Sequence, residues 1–221
     1  MSADRVPLTR ERIVQAALGL ARQEGLAGVS MRKLAQELGV EAMSLYHHVP
    51  NKRALLVLMA DRSLATLRPV DPATPWTERL TGLLQDIFHA GMENPAMISV
   101  LVAQELDAPD VNVSGRSAIE VIDSILEILA DSGLSAQDQV HAYNSLISLV
   151  CGFVLGPALA LTPAPPNESV REQRRLSGAA VETLPALAGV LDRLHTADAA
   201  ADLRFSLDLY VGALDRLAAS K

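Results

Sequence analysis

Residues 34–56 read LAQELGVEAMSLYHHVPNKRALL. Leu34, Ala35 and Leu38 recur at helical spacing, and Gly39 closes that segment as a left-handed C-cap does. A second short helix, about 42–48, carries Ser44, Tyr46, His47 and His48 within five positions before Pro50 ends it. Asn51 then caps a longer helix opening with Lys52-Arg53 and running to about Leu67. Upstream, Thr9 caps a helix with Ile13, Ala16, Ala17, Leu20 and Ala21 on one stripe, ending at Gly25, and Ser30 caps the helix through Leu38. Helices this short are marginal in water by themselves. Residues 9–67 therefore predict a cooperative bundle that presents its smallest helix outward.

Two short helices joined through a glycine are the sequence form of a helix-turn-helix. With Leu45 turned to the core and 100° per residue, Val49 and Val40 fall near the core side. Met43 and His47 then point away, with Ser44 and Tyr46 on the flanks. The outward face is polar or aromatic and free of acid, as a groove lined with phosphates requires. Tyr46 and His48 suit phosphates, while Ser44 and Met43 suit base edges and thymine methyls. Arg32, one turn into the second helix, can reach a guanine or a phosphate from the side. Lys52 and Arg53, beside the free N–H groups of the fourth helix, form a phosphate clamp. The bland alternative is that Tyr46 and the histidines decorate a solvated surface.

A longer pattern adds to this. The run from Arg32 to Leu56 fits R-K-L-A-x-x-L-G-V-x-x-x-x-L-Y-x-H-V-x-N-K-x-x-L-L, and over about residues 8–60 the chain resembles the DNA-binding domain of the tetracycline-repressor (TetR) family, especially its tetracycline-repressor branch. The resemblance implies a recognition helix at 42–48 and DNA contact by Arg32, Met43, Ser44, Tyr46, His48 and Lys52, to which the outward position of His47 adds that residue. Ala42 and Met43 stand where tetracycline repressors carry a base-reading Gln-Pro pair, so a different operator is expected.

Composition agrees with a small polyanion-binding module on a larger acidic body. The chain has 221 residues, 49% of them hydrophobic, and a net charge of −7. Residues 1–68 carry ten Lys and Arg against six Asp and Glu, a net +4, whereas the remainder stands at −11. The lone cysteine, Cys151, excludes a disulfide framework or a cysteine-based zinc site and fits a cytoplasmic protein. MSADRVPLTRER has no apolar core, so no signal peptide is expected. Residues 142–167 hold no formal charge, which raises a membrane span. Asn144, Ser145, Ser148, Gly156-Pro157 and a proline cluster interrupt the stretch. A buried helix of about 135–155, at a subunit interface, is expected instead, with no membrane partner.

The body reads as helical throughout. Pro69 to Pro75 marks the boundary between a DNA-binding unit with its linker helix (1–68) and an effector-binding and dimerisation unit (69–221). Thr74-Pro75 opens a helix to about Met92, and Asn94-Pro95 a short one to about Gln104. Residues 105–113 read as a loop, 114–130 as a helix, and Ser135 with Asp138 as a capping box. A Pro-rich loop at 162–169 precedes helices at about 170–182, 185–194 and 198–217. The fold expected is all-α: an N-terminal three-helix helix-turn-helix domain joined by a fourth helix to a helical ligand-binding and dimerisation domain.

The resemblance implies that two helices of each subunit form a four-helix dimer interface. The 135–155 helix and the 198–217 helix, with its stripe of Leu203, Leu207, Tyr210 and Leu214, are the candidates; either suits an intramolecular core as well. Polar groups among these helices suggest an effector pocket: His89 and Met92 at i, i+3, and His141, Asn144, Ser145 and Ser148 on one face. Against this, serine and asparagine readily bond back to their own helix. A histidine of tetracycline repressors that helps hold the magnesium–drug complex has no counterpart at Glu93-Asn94-Pro95, so the effector expected is a different, mostly apolar small molecule.

An enzyme is the competing class. The chain lacks a Gly-rich phosphate loop, a G-x-S-x-G elbow and an HExxH pair. Adjacent His47 and His48 lie about 100° apart on a helix, a poor metal site. A ligand-sequestering protein without DNA binding is a further alternative. No catalytic residue, metal or cofactor is expected. The partners expected are double-stranded DNA, a small-molecule effector and a second copy of the chain, in a ligand-responsive regulator that represses from a palindromic operator.

Overall fold

A computed structural model describes residues 7–94, 98, 116–160, 184–190 and 198–220. Its helices in chain order are α1 (Arg10–Gly28), α2 (Met31–Leu38), α3 (Ala42–Tyr46), α4 (Lys52–Leu64), α5 (Trp76–Glu93), α6 (Arg116–Ala130), α7 (Ala136–Ala160), α8 (Pro185–Ala188) and α9 (Ala199–Ala219), with no strand among the described residues. The helices expected at 94–104 and 170–182, the 105–113 loop and the 162–169 stretch fall almost wholly outside those residues; Asn94 and Ile98 alone are described there, both buried, and Ile98 is helical.

The caps read from sequence close the helix ends. Thr9, Ser30 and Asn51 accept from the backbone N–H of Arg12, Lys33 and Ala54 at 3.2, 3.2 and 2.8 Å. Each satisfies one of the four orphan donors of its helix. Asp198 does the same for Ala200 at 2.9 Å. Several boundaries differ from expectation: α4 stops at Leu64 rather than about Leu67, α7 runs on to Ala160 rather than about 155, and α8 is helical only to Ala188. α1 does not stop at Gly25; that residue breaks the helix with φ 71° and ψ 173°, and one more turn follows to Gly28. α3 is helical only to Tyr46, because the chain tightens into a turn at His47 and His48 ahead of Pro50.

Two apolar cores meet along α4. The first gathers Ile13, Ala17, Leu34, Leu45, Val49, Leu55 and Met59 from α1 to α4. The second begins one residue later, at Ala60 and Leu64, and continues through Leu84, Ile87, Ile125, Leu129, Leu146 and Leu207. One face of α4 thus belongs to the N-terminal bundle at its start and to the body at its end. Polar ties reinforce the join. Asp61 on α4 accepts from the Ser117 N–H in the first turn of α6 at 2.9 Å. Asn94, buried at the end of α5, donates to the Ser63 hydroxyl at 3.0 Å and toward the Met59 carbonyl at 3.4 Å.

α5, α6, α7 and α9 pack around the second core. By length and hydropathy α7 is able to cross a membrane. It packs here as a core helix, with Ala142, Leu146, Val150, Cys151 and Val154 buried against its neighbours. Gly91 of α5 allows a close approach to α7: a Cβ there would meet Val154 at 2.9 Å. On α9 the stripe expected at the dimer interface is corrected. Leu203, Leu207 and Leu214 are buried in the chain's own core, with Tyr210 packed beside them. The helix carries a second apolar row, and Phe205, Leu209 and Leu217 are the residues left exposed, at 66%, 60% and 40%. Periodicity reveals two such rows without saying which one looks inward.

Candidate nucleic-acid interface

α3 owes its position to residues on either side of it. Gly39 ends α2 in the left-handed region (φ 64°, ψ 37°), and its N–H and that of Val40 return to the carbonyls of Gln36 and Ala35. This turn swings the chain across α2. Leu45 and Val49 then anchor α3, both fully buried in the first core. Burying a leucine side chain is worth about 2 kcal/mol, so Leu45 and Val49 together offset part of the cost of ordering so short a helix. Arg10, at the start of α1, donates its Nε–H to the His48 carbonyl at 3.3 Å and ties down the far end. Lys33 of α2 pairs with Glu24 of α1. Neither tie was evident from sequence, since both join residues through the fold rather than through a local pattern.

With one side of α3 pinned, the other is open. Met43 is 70% exposed and Tyr46 43% exposed; His47 is exposed and Ser44 and His48 are half-buried. Arg32 on α2 and Lys52 in the first turn of α4 are exposed, and no acidic residue lies in the first turns of α2, α3 or α4. The stretch therefore offers an aromatic hydroxyl, a thioether, a serine, imidazoles and two cations on an acid-poor face. Those groups are suited to base edges and phosphates, with the α4 N-terminus as an anion-binding end.

The residues proposed for an effector occupy different ground. His89 and Met92 are exposed on α5, the His89 ring lying edge-on to Phe88 with centroids 5.4 Å apart. His141, Asn144, Ser145 and Ser148 share the exposed side of α7, opposite its core face, and the His141 ring is 3.0 Å from the Gln137 amide. None of them lines either described cleft. One cleft of about 300 Å³ lies between α1, α4 and α5, beside Arg22, Arg68, Asp86 and Asn94. A larger one, about 760 Å³, lies between the end of α4, α5 and α6. Both border the C-terminal end of α4. Nothing in the local sequence around Arg68 or Arg79 singles these residues out. The row Ser117, Glu120, Ser124 and Glu127 along α6, continued by Asp131 just after it, does follow a legible spacing of three and four.

Cys151 is buried beside Tyr143, and burial pushes both the thiol and the phenol up from their ordinary pKa ranges. The thiol stays protonated near neutral pH, which marks it as an inert core residue. Among the described residues no three His, Cys, Asp or Glu side chains are grouped to hold a metal ion.

Comparison with known proteins bears on both halves. Residues 13–59 match the family described as "Bacterial regulatory proteins, tetR family". Residues 68–212 match "Tetracyclin repressor-like, C-terminal domain". The chain is 33% identical to the HTH-type transcriptional repressor DrrR1 of Streptomyces coeruleorubidus over 68% of its own length, and spans about half (53%) of that protein. It is also 33% identical to the class D tetracycline repressor protein of Escherichia coli, over 74% of this chain and 75% of that one. A solved structure of a possible TetR family transcriptional regulator from Streptomyces coelicolor A3(2) superposes with a TM-score of 0.75 at 27% identity, covering 94% of this chain and 99% of that one.

Proposed function

The chain belongs to the tetR family of bacterial regulatory proteins, and we propose that it is a homodimeric, ligand-responsive repressor that reads a palindromic operator through α3. The relatives it matches are regulators of transcription rather than enzymes. The observation that carries the reading is the division of α3: Leu45 is fully buried while Met43, two positions earlier, is 70% exposed. In this reading Met43 and Ser44 meet base edges. Tyr46, His47 and His48 meet phosphates or sugars, Arg32 enters from the side, and Lys52 closes on a phosphate.

A second copy supplies the other half of the operator. The outward rows of α9 (Phe205, Leu209 and Leu217) and of α7 (Asn144, Ser145, Ser148 and Gly152) are the surfaces we assign to it. Large apolar side chains in an exposed row call for a partner. Two-fold symmetry then sets two α3 helices about 34–36 Å apart, one turn of duplex. The protein works in the cytoplasm, where bacterial duplex DNA is reached. An effector in the body shifts the pair away from that spacing, and α4, which shares both cores, is the element that transmits the shift. Tetracycline is not that effector in this reading.

Selection of bound duplexes from a random pool tests the proposal, with Tyr46→Ala and Lys52→Ala as controls. Enrichment of one inverted repeat, weakened at least several-fold by either substitution at unchanged helicity, is expected. Unchanged binding by both variants would remove α3 as the reader.

A further inference from the structure

The cations of the N-terminal bundle fall into two groups. Lys33 pairs with Glu24, Arg62 with Glu11 and Arg22 with Glu93, while Arg12 and Arg53 have partners of their own. Arg10, Arg32 and Lys52 are exposed and have no carboxylate partner among the described residues. Arg32 and Lys52 flank α3 from α2 and α4 and are assigned to DNA above. Arg10 comes from a third helix, α1, and reaches the same place.

One bond fixes its position there. The Arg10 Nε–H donates to the carbonyl of His48 at 3.3 Å, across 38 positions of sequence. His48 lies just beyond Tyr46, the last helical residue of α3. The guanidinium is a planar fork, and with Nε occupied its two η nitrogens carry the remaining donors. Those donors meet no acceptor among the described residues, and the residue is exposed. An unpaired cation is at ease in water, so the missing partner alone decides nothing; its place beside α3 does. A recognition helix meets base edges with its N-terminal residues. The opposite end of α3 therefore rises toward the phosphates of the strand that borders the groove. His48 and Arg10 stand at that end. A guanidinium whose Nε is already held has less freedom to lose on meeting an anion, and its parallel N–H groups match two oxygens of a phosphate.

We infer that Arg10 binds a DNA backbone phosphate at the C-terminal end of α3. The inference deepens the operator reading above and rests on it. Phosphate contacts carry no base preference; they set the register and orientation of the reading helix. Here one side chain grips both the phosphate and the His48 carbonyl, so the end of α3 is referred directly to the backbone.

Salt dependence of binding to the selected duplex, measured with the full chain and its variants, tests this. Each phosphate contact contributes about 0.9 to the slope of log affinity against log salt. With one Arg10 in each subunit of a dimer, Arg10→Gln is expected to lower that slope by about 1.8 and to weaken binding about tenfold at about 0.1 M salt. Arg10→Lys keeps the charge and retains the wild-type slope. Preference for the operator over a duplex with one altered base pair is the same in both variants, because a phosphate carries no sequence. Single methylphosphonates, which neutralise one phosphate at a time, then locate the contact: one position per half-site weakens the wild type and leaves Arg10→Gln unaffected. Circular dichroism should show both variants folded, since Arg10 is exposed; Arg10→Met is a second neutral variant should Arg10→Gln unfold.

An unchanged slope in the neutral variant overturns the inference. So does an equal loss in Arg10→Gln and Arg10→Lys with relaxed base preference, which would reduce Arg10 to a tie on His48. Either result in a protein that selects an operator sinks the inference alone. A wild type that selects no duplex removes the operator reading and the inference with it.

Discussion

Leu45 and Tyr46 are neighbours in sequence with opposite tasks. Leu45 is fully buried and fixes α3; Tyr46, 100° around, is 43% exposed and available to a partner. Substitutions should separate the two roles. Leu45→Ala is expected to cost about 2–5 kcal/mol of stability and to lose DNA binding with it, as read by urea denaturation. Tyr46→Ala should leave the denaturation midpoint nearly unchanged and weaken duplex binding several-fold. A Tyr46→Ala protein as unstable as Leu45→Ala would move Tyr46 from the interface into the structure. Cys151 gives a test of the body at the same scale. Its buried, upshifted thiol should react slowly with a maleimide at neutral pH and rapidly in denaturant. Rapid labelling of the native protein would mean that the core around Val150 and Val154 opens readily. Much of the α3 division was legible beforehand, because a 100° rotation from one leucine orders its neighbours. The ties of Arg10 to His48 and of Asp61 to Ser117 were not, because they join residues 38 and 56 positions apart.

At the scale of elements, two glycines with positive φ have different strictness. Gly39 lies in the left-handed region, which asparagine tolerates, whereas Gly25 at φ 71° and ψ 173° occupies territory that is essentially glycine's alone. A Cβ at either position meets nothing within 4 Å, so the cost of substitution is conformational. Gly39→Asn is expected to be mild and Gly39→Ala to cost about 1 kcal/mol. Gly25→Ala is expected to cost about 1–3 kcal/mol, all measured by thermal unfolding. Equal, negligible losses at both would mean that the α1 break and the α2–α3 turn relax without strain. Gly25 was recognised in the sequence as a break, but not as a bend followed by another turn, since a helix end and a kink share the same glycine signal. Most caps were legible for a simpler reason: Thr9, Ser30, Asn51 and Ser135 act on residues three positions ahead. On α9 sequence pattern was insufficient. Both Leu203-Leu207-Leu214 and Phe205-Leu209-Leu217 repeat at helical spacing, and only packing against α5 and α7 chooses the first for the core.

For the whole molecule, the division at the 69–75 proline stretch is less telling than the sharing of α4. Its Met59 belongs to the N-terminal core and its Ala60 to the body, so movement of one part is felt by the other. The all-helical architecture was legible from periodicity and caps, while the clefts were not, since Arg79, Leu64 and Glu127 come from three separated helices. Assembly gives a prediction at this scale. Light scattering should return a dimer of about twice 23.6 kDa, and Phe205→Glu combined with Leu209→Glu should yield a monomer with greatly weakened operator binding. A dimer indifferent to both glutamates would place the interface elsewhere.

The most direct test of the account is the sequence that the protein selects from random duplexes at two salt concentrations. The account predicts an inverted repeat with half-site centres about 10–10.5 base pairs apart, bound more weakly as salt rises, and lost from selections made with Tyr46→Ala. A pool with no repeat, or the same repeat enriched equally by the Tyr46→Ala protein, would contradict it.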